Sequence, residues 1–162
     1  MKRKMLLPAL TSALLLAQNA MAIETPAGWK MTRAQNGATI YQPESAEAKD
    51  IVLAISPSLS NDGKTAAQLL ENAEQNLIDN NDAKITQSGK IEEKDGQANI
   101  AIQTEINGSP ILVKETIYPL DPENMRDIIV FMPNNAEILQ KYQKTAEDII
   151  AAQYAEDMAR KK

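Results

Sequence analysis

The stretch QANIAIQTEINGSPILVKETIYPL, residues 97–120, restricts the fold more than any other part of the chain. Apolar and polar residues alternate around Asn107-Gly108, a dipeptide that favours the positive φ angles of a two-residue hairpin turn. If these two residues form the turn, Ile102 lies opposite Val113 on the same face of the hairpin. Strands joined by so short a turn must be antiparallel. The sequence therefore predicts a long antiparallel hairpin.

Five further segments have the composition of strands. They are residues 29–34, 38–42, 49–56, 84–96 and 125–133. The last is a continuous apolar run, as expected for a central strand, whereas the charged residues of the fourth are typical of a sheet edge. The first two form a hairpin around Asn36-Gly37. From this hairpin, Trp29, Met31 and Ile40 are predicted to contribute to the core.

Two amphipathic helices complete the predicted elements. Thr65 and Gln68 have the spacing of a capping box, which satisfies free N–H groups at a helix start, and this helix is predicted to end at residues 80–82. A longer helix is predicted over residues 135–158. A mainly apolar stripe at steps of three and four residues is formed by Ile138, Leu139, Tyr142, Ala146, Ile149, Ile150 and Gln153. The fold class is therefore predicted to be α+β: an antiparallel sheet of about six or seven strands with two amphipathic helices packed on it.

Residues 1–22 have the features of a secretory signal peptide: basic residues at 2–4, an apolar run over 5–17 and a small-x-small pattern at 20–22. The apolar run is shorter than the about 20 residues that a membrane-spanning helix needs. A buried N-terminal helix or an uncleaved anchor is the alternative interpretation. We expect cleavage after residue 22, so that residues 23–162 form a single α+β domain. The short leader favours a bacterial periplasmic protein, and no permanent membrane anchor is predicted.

The chain contains neither histidine nor cysteine. Metal sites built from imidazole or thiolate, and catalytic groups that use either side chain, are therefore excluded. A Ser–Lys pair, a pair of carboxylates or a calcium site remains compatible with the composition. Removal of the three basic leader residues from the total of 17 leaves 14 basic against 22 acidic residues, a net charge of −8. Such a charge disfavours nucleic acid and attracts a basic protein partner.

Two acidic clusters are candidate sites, and each has a simpler explanation. Asp121, Glu123 and Asp127 place three carboxylates within seven residues, and carboxylate oxygens suit calcium. The spacing of an EF-hand is missing, however, and Asp-Pro-Glu-Asn is typical of a solvated turn. The acidic residues within 92–95 are suited to a basic partner, but a charged sheet edge that prevents strand association explains them as well.

Residues 56–65, SPSLSNDGKT, are predicted to form a loop that brings several serines close to Lys64. A Ser–Lys nucleophile needs a desolvated, neutral lysine, whereas Lys64 follows Asp62-Gly63 in an exposed segment. An interaction loop is therefore the favoured interpretation. The residues predicted to contact a partner are Ser58, Asp62, Lys64, Glu92, Glu93, Asp95, Asp121 and Glu123. No catalytic residue, metal ligand or cofactor is predicted.

The chain resembles PsbP-like fold proteins, among them DcrB-like periplasmic proteins, in the order of its elements and in three stretches. These are PAGWKM at 26–31, TAAQLLENAEQNL at 65–77 and TAEDIIAAQ at 145–153. The resemblance covers most of residues 26–155 and is a pattern of elements without a catalytic signature. It implies a docking, accessory or binding protein, and periplasmic immunity proteins that neutralise toxins of rival bacteria also have this fold. Unlike DcrB-like proteins, this chain has no cysteine for lipid attachment.

We therefore expect a small periplasmic accessory protein that is not an enzyme and acts through protein–protein contacts. An immunity protein against a secreted antibacterial toxin is the sharpest form of this expectation. The alternative is a carrier that holds a small apolar ligand or lipid between the sheet and the terminal helix. A hydrolase with two carboxylates needs a pair of acids with different pKa values in one cleft, and sequence spacing shows no such pair.

Overall fold

This computed structural model describes residues 23–161 of the chain. They form an antiparallel sheet with helices packed on both of its faces. The predicted leader, residues 1–22, lies outside the described residues. Within the described range, the strands β1 to β9 are Trp29–Arg33, Thr39–Pro43, Val52–Ile55, Leu59–Ser60, Lys84–Gln87, Glu92–Lys94, Gln97–Ile106, Ser109–Pro119 and Asn124–Pro133. The α-helices α1 to α3 are Ala66–Leu70, Ala73–Asn81 and Ala136–Ala159. The predicted α+β class is confirmed.

The strands of the sheet follow the order β1-β2-β3-β9-β8-β7-β5, and β4 pairs with β9 while β6 pairs with β7. All of these pairs are antiparallel. The described residues contain nine strands rather than six or seven because β4 forms within the predicted loop and residues 84–96 divide into β5 and β6. The predicted central position of residues 125–133 and the predicted edge position of residues 84–96 are confirmed.

The β7–β8 hairpin has the register that the sequence predicts, since Ile102 pairs with Val113. Asn107 and Gly108 form the turn with φ angles of 52° and 79°. Side chains alternate between the two faces along each strand. The register therefore decides which residues of β7, β8 and β9 face α3 and which face α1 and α2.

One side of the sheet, here called the α3 face, contains one of the two buried apolar clusters. Its main buried side chains are Tyr41, Leu53, Ile55, Tyr118, Ile128, Val130 and Met132. From above them, α3 contributes Ala146 and Ile149, and Asn135 caps its first turn by accepting bonds from two backbone N–H groups. The long predicted helix is confirmed. Neither α3 nor any other helix of residues 23–161 is long and apolar enough to cross a membrane.

The opposite side, here called the α1 face, is covered by α1 and α2. Its buried side chains are Ala98, Ile100, Ile102, Val113 and Ile117 from the sheet, with Leu70, Ala73 and Leu77 from the helices. Thr65 and Gln68 form the predicted capping box. The prediction of one continuous helix is wrong, because Asn72 leaves helical geometry with φ −99° and ψ 7° and separates α1 from α2. Asparagine disfavours a helix interior because its amide competes for backbone hydrogen bonds.

The β1–β2 hairpin contributes less to the core than the sequence predicts. Trp29 is buried and packs edge-on against Tyr142 of α3, with ring centroids 6.4 Å apart. Met31 is 38% exposed, since it lies further along the outermost strand of the sheet. Its partner across the hairpin, Tyr41, is buried instead, while Ile40 is half-buried on the other face.

Candidate functional site

Two of the loops that carry predicted contact residues are joined at one end of the sheet. The loop after β3 contains β4, in which Leu59 pairs with Met125 of β9. The backbone N–H of Asn61 donates to the carbonyl of Glu123, and its side-chain amide donates to the carbonyl of Pro122, each at 2.9 Å. These bonds hold the loop against the β8–β9 turn.

The β6–β7 turn forms the third part of this end. Asp95 and Gly96 form it with φ angles of 53° and 77°. The hydroxyl of Tyr154 on α3 donates to the carbonyl of Asp95 at 2.7 Å and fixes the turn to the helix. We call the surface formed by residues 56–65, 92–97 and 119–125 the loop end.

The loop end contains a groove of about 560 Å³. Its apolar lining residues are Ala66, Leu69, Ala98, Pro119 and Met125, and its charged lining residues are Lys64, Glu93, Lys94 and Asp95. Leu59, which pairs with Met125, is 37% exposed. The groove therefore has an apolar floor and a charged rim, with a further apolar side chain open to solvent nearby.

A second groove, of about 810 Å³, adjoins the first at Pro119. Ser58 and Asp121 line it together with Arg160 and Lys161, which lie at the end of α3. The Lys161 ammonium donates to the carbonyl of Pro119 at 3.0 Å, which joins the end of α3 to the end of β8. The second groove thus differs from the first in carrying basic residues from the helix.

Five of the predicted contact residues line one of the two grooves. They are Ser58, Lys64, Glu93, Asp95 and Asp121. Asp62 and Glu123 lie in the adjoining loops, where Asp62 accepts a hydrogen bond from the hydroxyl of Ser60 at 2.9 Å. Glu92 lies further along β6, opposite Asn99, and is exposed. Residues that are distant in sequence therefore form one continuous end of the molecule.

Asp121 shapes the β8–β9 turn rather than a three-carboxylate site. Its Oδ1 accepts hydrogen bonds from the backbone N–H groups of Glu123 and Asn124, both at 2.8 Å. The side-chain amide of Asn124, followed by these backbone bonds, holds the pKa of Asp121 below its ordinary value. Asp127 lies on the α1 face of β9, where it is opposite Ile117. The three acids of the cation hypothesis therefore do not come together, and the turn interpretation fits the structure.

The serines near Lys64 are engaged with other groups. The Ser56 hydroxyl donates to the carbonyl of Pro57 at 2.7 Å and accepts from the backbone N–H of Asp127 at 3.0 Å. The Ser60 hydroxyl donates to Asp62. Both hydroxyls thus stabilise the loop conformation, while Lys64 lies on the rim of the first groove.

A buried ionic network, which sequence interpretation missed, borders the second groove. Arg126 donates to both carboxylate oxygens of Asp157, at 2.9 and 2.8 Å, and to the carbonyl of Ser56 at 2.8 Å. The Tyr118 hydroxyl and the Gln153 amide also donate to Asp157, at 2.7 and 3.2 Å. Arg126 and Asp157 are only 5% and 4% exposed. The network joins the end of α3 to the sheet and to the start of the loop.

The electrostatics of this network follow from burial and hydrogen bonding. Burial alone would raise the pKa of Asp157, but the hydrogen bonds from Arg126 and Tyr118 outweigh it and hold this pKa below its ordinary value. Burial and the bond to Asp157 raise the pKa of Tyr118. The signal in the sequence is periodicity: Asp157 follows Gln153 by four residues on the buried stripe, and Arg126 alternates with the buried Ile128.

A pair of carboxyl groups lies on the α1 face, and neither of its members lines either groove. Glu115 of β8 is opposite Ile129, and Asp127 of β9 is opposite Ile117. Burial, followed by the charge of Asp127, raises the pKa of Glu115 to about 8. Burial raises the pKa of Asp127 to about 6. Sequence spacing did not show this pair because its members come from different strands.

Comparisons with known proteins bear on the fold. No protein-family model matches the chain, and no curated protein matches it in sequence. The structure is similar to that of PA94 from Pseudomonas aeruginosa, a protein of unknown function: the TM-score is 0.50 at 11% identity, over 76% of this chain and 94% of that one. At this identity, the likeness shows the fold alone.

A second similar structure is the cyanobacterial PsbP of Synechocystis sp. PCC 6803. It has 10% identity to this chain and a TM-score of 0.48, over 78% of this chain and 81% of that one. This is the fold family that the sequence resembles. The DcrB-like part of the resemblance stays a prediction.

Proposed function

We propose that this protein is a small, exported, non-enzymatic accessory protein that binds a protein partner through its loop end. The observation that carries the proposal is the meeting of three loops around an apolar groove with a charged rim. Loops fixed to a rigid scaffold commonly provide binding contacts. An apolar centre surrounded by polar groups is also the usual anatomy of a protein–protein interface.

The charge of the loop end favours a basic partner. Its three segments contain six acidic and two basic residues. The acidic residues are Asp62, Glu92, Glu93, Asp95, Asp121 and Glu123, and the basic residues are Lys64 and Lys94. Complementary charge accelerates association and selects among partners more than it raises affinity. A basic partner surface with an apolar protrusion for the groove has the matching chemistry.

Export to the periplasm belongs to the same proposal, and its support is the leader pattern of residues 1–22. The finer version is an immunity protein whose acidic loop end occupies the active-site cleft of a secreted antibacterial toxin. Its support is the acidic rim together with the resemblance of the sequence to a fold in which such proteins occur. A toxin reading frame next to the gene would favour this version over other accessory roles.

The alternative, a carrier with its ligand between the sheet and α3, has no comparable observation in its favour. Tyr118, Met132 and Ile149 meet at this interface and are at most 2% exposed. These three buried side chains occupy part of the interface in which the ligand was expected.

Site-specific photo-crosslinking tests the proposal. A photo-reactive amino acid replaces Asp62 or Asp95 at the loop end, and in a matched control it replaces Asn107, at the far end of β7. The chains are expressed in the source bacterium, and fractionation shows whether they reach the periplasm. We expect Asp62 and Asp95, but not Asn107, to crosslink one defined protein.

Binding of that purified protein is then measured with charge-reversed chains. Because rim charges act mainly on association, Glu93→Lys with Asp95→Lys should slow association and reduce its dependence on salt. Glu105→Lys, on β7 near the far turn, serves as the control and should bind like the unmodified chain. Equal crosslinking from Asn107, or identical association of all chains, would contradict the proposal.

A further inference from the structure

Glu115 and Asp127 project from the same face of neighbouring strands. In the β8–β9 register, Glu115 is opposite Ile129 and Asp127 is opposite Ile117, so the two acids are diagonal neighbours. Diagonal neighbours on one face are within reach of long side chains. Val113 and Ile117, which flank Glu115 on this face, are 0% and 2% exposed. Glu115 and Asp127 are themselves half-buried, with these apolar side chains around them.

This surface contains no other ionisable side chain on the central strands. On the α1 face, β3 contributes Val52 and Ala54, and β7 contributes only apolar residues and Thr104. The remaining α1-face positions of β8 and β9 are uncharged as well. The helix α1, which packs on β7 and β8, is AAQLL. Neither acid therefore has a cation from these elements to compensate its charge.

The charged groups of the other elements that pack around this face belong to its periphery. They include Asp62, Lys64, Glu71, Glu74, Asp79, Lys84 and Glu93. Lys64 and Glu93 lie on the rim of the first groove, Asp62 is bonded to Ser60, and Glu74 accepts from the backbone N–H of Gly89 at 2.8 Å. Glu71 and Lys84 are exposed.

One oxygen of the pair lacks a hydrogen bond. Asp127 Oδ1 is buried and receives no donor among the described residues. A charged carboxylate can only accept hydrogen bonds. Two charged carboxylates therefore cannot hydrogen-bond to each other, and they repel each other at short range. If one of the two carboxyls retains its proton, its O–H can donate to the other. This arrangement satisfies the buried oxygen and removes one charge from an apolar surface.

We propose that Glu115 and Asp127 share one proton in the folded protein and act as a pH-sensitive contact that stabilises the layer of α1 on the sheet. The ordinary pKa values are 4.5 for glutamate and 3.8 for aspartate, and burial raises both in the fold, to about 8 and about 6. The folded chain thus binds more protons than the unfolded chain. The contribution to stability is fully present below the unfolded-state pKa values of 3.8 and 4.5, falls as the pH rises above them, and is gone once the pH has passed the folded-state values of about 6 and about 8.

The pair is tested by urea unfolding of the purified chain between about pH 5 and 9. The folding equilibrium constant should fall by up to about tenfold per pH unit for each proton that the folded chain binds and the unfolded chain does not. Glu115→Gln supplies a neutral donor of the same shape and should flatten this dependence. Glu71→Gln removes one negative charge at an exposed position at the end of α1, and it should leave the pH dependence unchanged. Hydrogen exchange should show that α1 amides lose protection first in the unmodified chain at alkaline pH.

Infrared spectroscopy gives an independent reading. At neutral pH the folded chain should show the absorption of a protonated carboxyl group, and Glu115→Gln should lose it. The proposal is overturned if stability is constant over this pH range, if Glu115→Gln keeps the dependence of the unmodified chain, or if no protonated carboxyl absorbs at neutral pH.

Discussion

Arg126 donates hydrogen bonds to both carboxylate oxygens of Asp157, at 2.9 and 2.8 Å, and thereby ties the last turns of α3 to β9. The side chains of the pair are 6% and 2% exposed. Because removal of one member leaves an uncompensated charge in the interior, such a pair is costly to break, although an apolar pair of similar volume can replace it. The contact holds α3 in place where the apolar stripe gives way to polar residues.

The first prediction concerns the loss of this ion pair. Asp157→Ala should lower the free energy of unfolding by about 3–5 kcal/mol, as measured by urea titration with the fluorescence of Trp29, the single tryptophan. Replacement of both members, Arg126→Met with Asp157→Leu, should restore most of the loss. Asp148→Ala breaks an exposed ion pair with Lys144 and should cost less than about 1 kcal/mol. Similar losses from Asp157→Ala and Asp148→Ala would refute the burial argument.

The second prediction is the acid dependence that Asp157 confers. Since its pKa lies below the ordinary value of 3.8, its contribution is present above that value and is lost as the pH falls through the lower folded-state pKa. Stability should therefore decline below about pH 4, and Asp157→Asn should make the decline shallower. Thr32→Ala, an exposed change on β1 that removes no carboxyl group, is the control and should keep the full decline. The idea fails if Asp157→Asn retains the full acid dependence.

The third prediction concerns Gly89, before β6. A Cβ atom at this position would lie 2.5 Å from the backbone carbonyl oxygen of Ala101 and 2.5 Å from Cγ1 of Ile100. Gly89→Ala should therefore displace β7 and cost about 1–3 kcal/mol, with amide chemical shifts that change at Ala101. Gly108→Ala meets no atom within 4 Å but must adopt a φ of 79°, so its changes should stay within the turn. Unchanged amide chemical shifts at Ala101 in Gly89→Ala would show that the added methyl group does not displace β7.

The fourth prediction concerns the cap that begins α1, beside the first groove. The Thr65 hydroxyl accepts from the backbone N–H of Gln68 at 3.2 Å. Thr65→Ala should cost about 1 kcal/mol and accelerate hydrogen exchange at the Gln68 amide. Thr32→Ala, an exposed change on β1, should alter stability by less than about 0.5 kcal/mol. If exchange at Gln68 is unchanged, the capping box does not stabilise this helix.

The elements themselves were largely predictable from the sequence, because their determinants are local. The alternation around Asn107-Gly108 sets the pairing of Ile102 with Val113, since a slip of one residue would move every side chain to the other face. The spacing of Thr65 and Gln68 predicted a helix start in the same way. Asn72 is an exception. Apolar residues continue at helical spacing past this position, but the backbone leaves helical geometry there and divides the helix in two.

The candidate site was only partly predictable. Composition identified the loops, yet it did not indicate that Asn61 would bond to Glu123 and Pro122 and so join two of the loops in one surface. The buried network was missed for the same reason. Asp157 and Arg126 each occupy a position in phase with buried neighbours, but both are charged. The sequence does not show that each compensates the charge of the other, because they meet only when α3 packs on β9.

By itself, the sequence determined the strands, the turns, the helix caps and an acidic chain without imidazole or thiol, because each depends on residue type and on neighbours a few positions away. The tertiary structure alone decided which distant side chains meet. It placed Arg126 against Asp157, Glu115 beside Asp127, and three loops around one groove. The physical reason is that charge compensation, desolvation and groove shape depend on distances across elements, and these distances are set only when both faces of the sheet are packed.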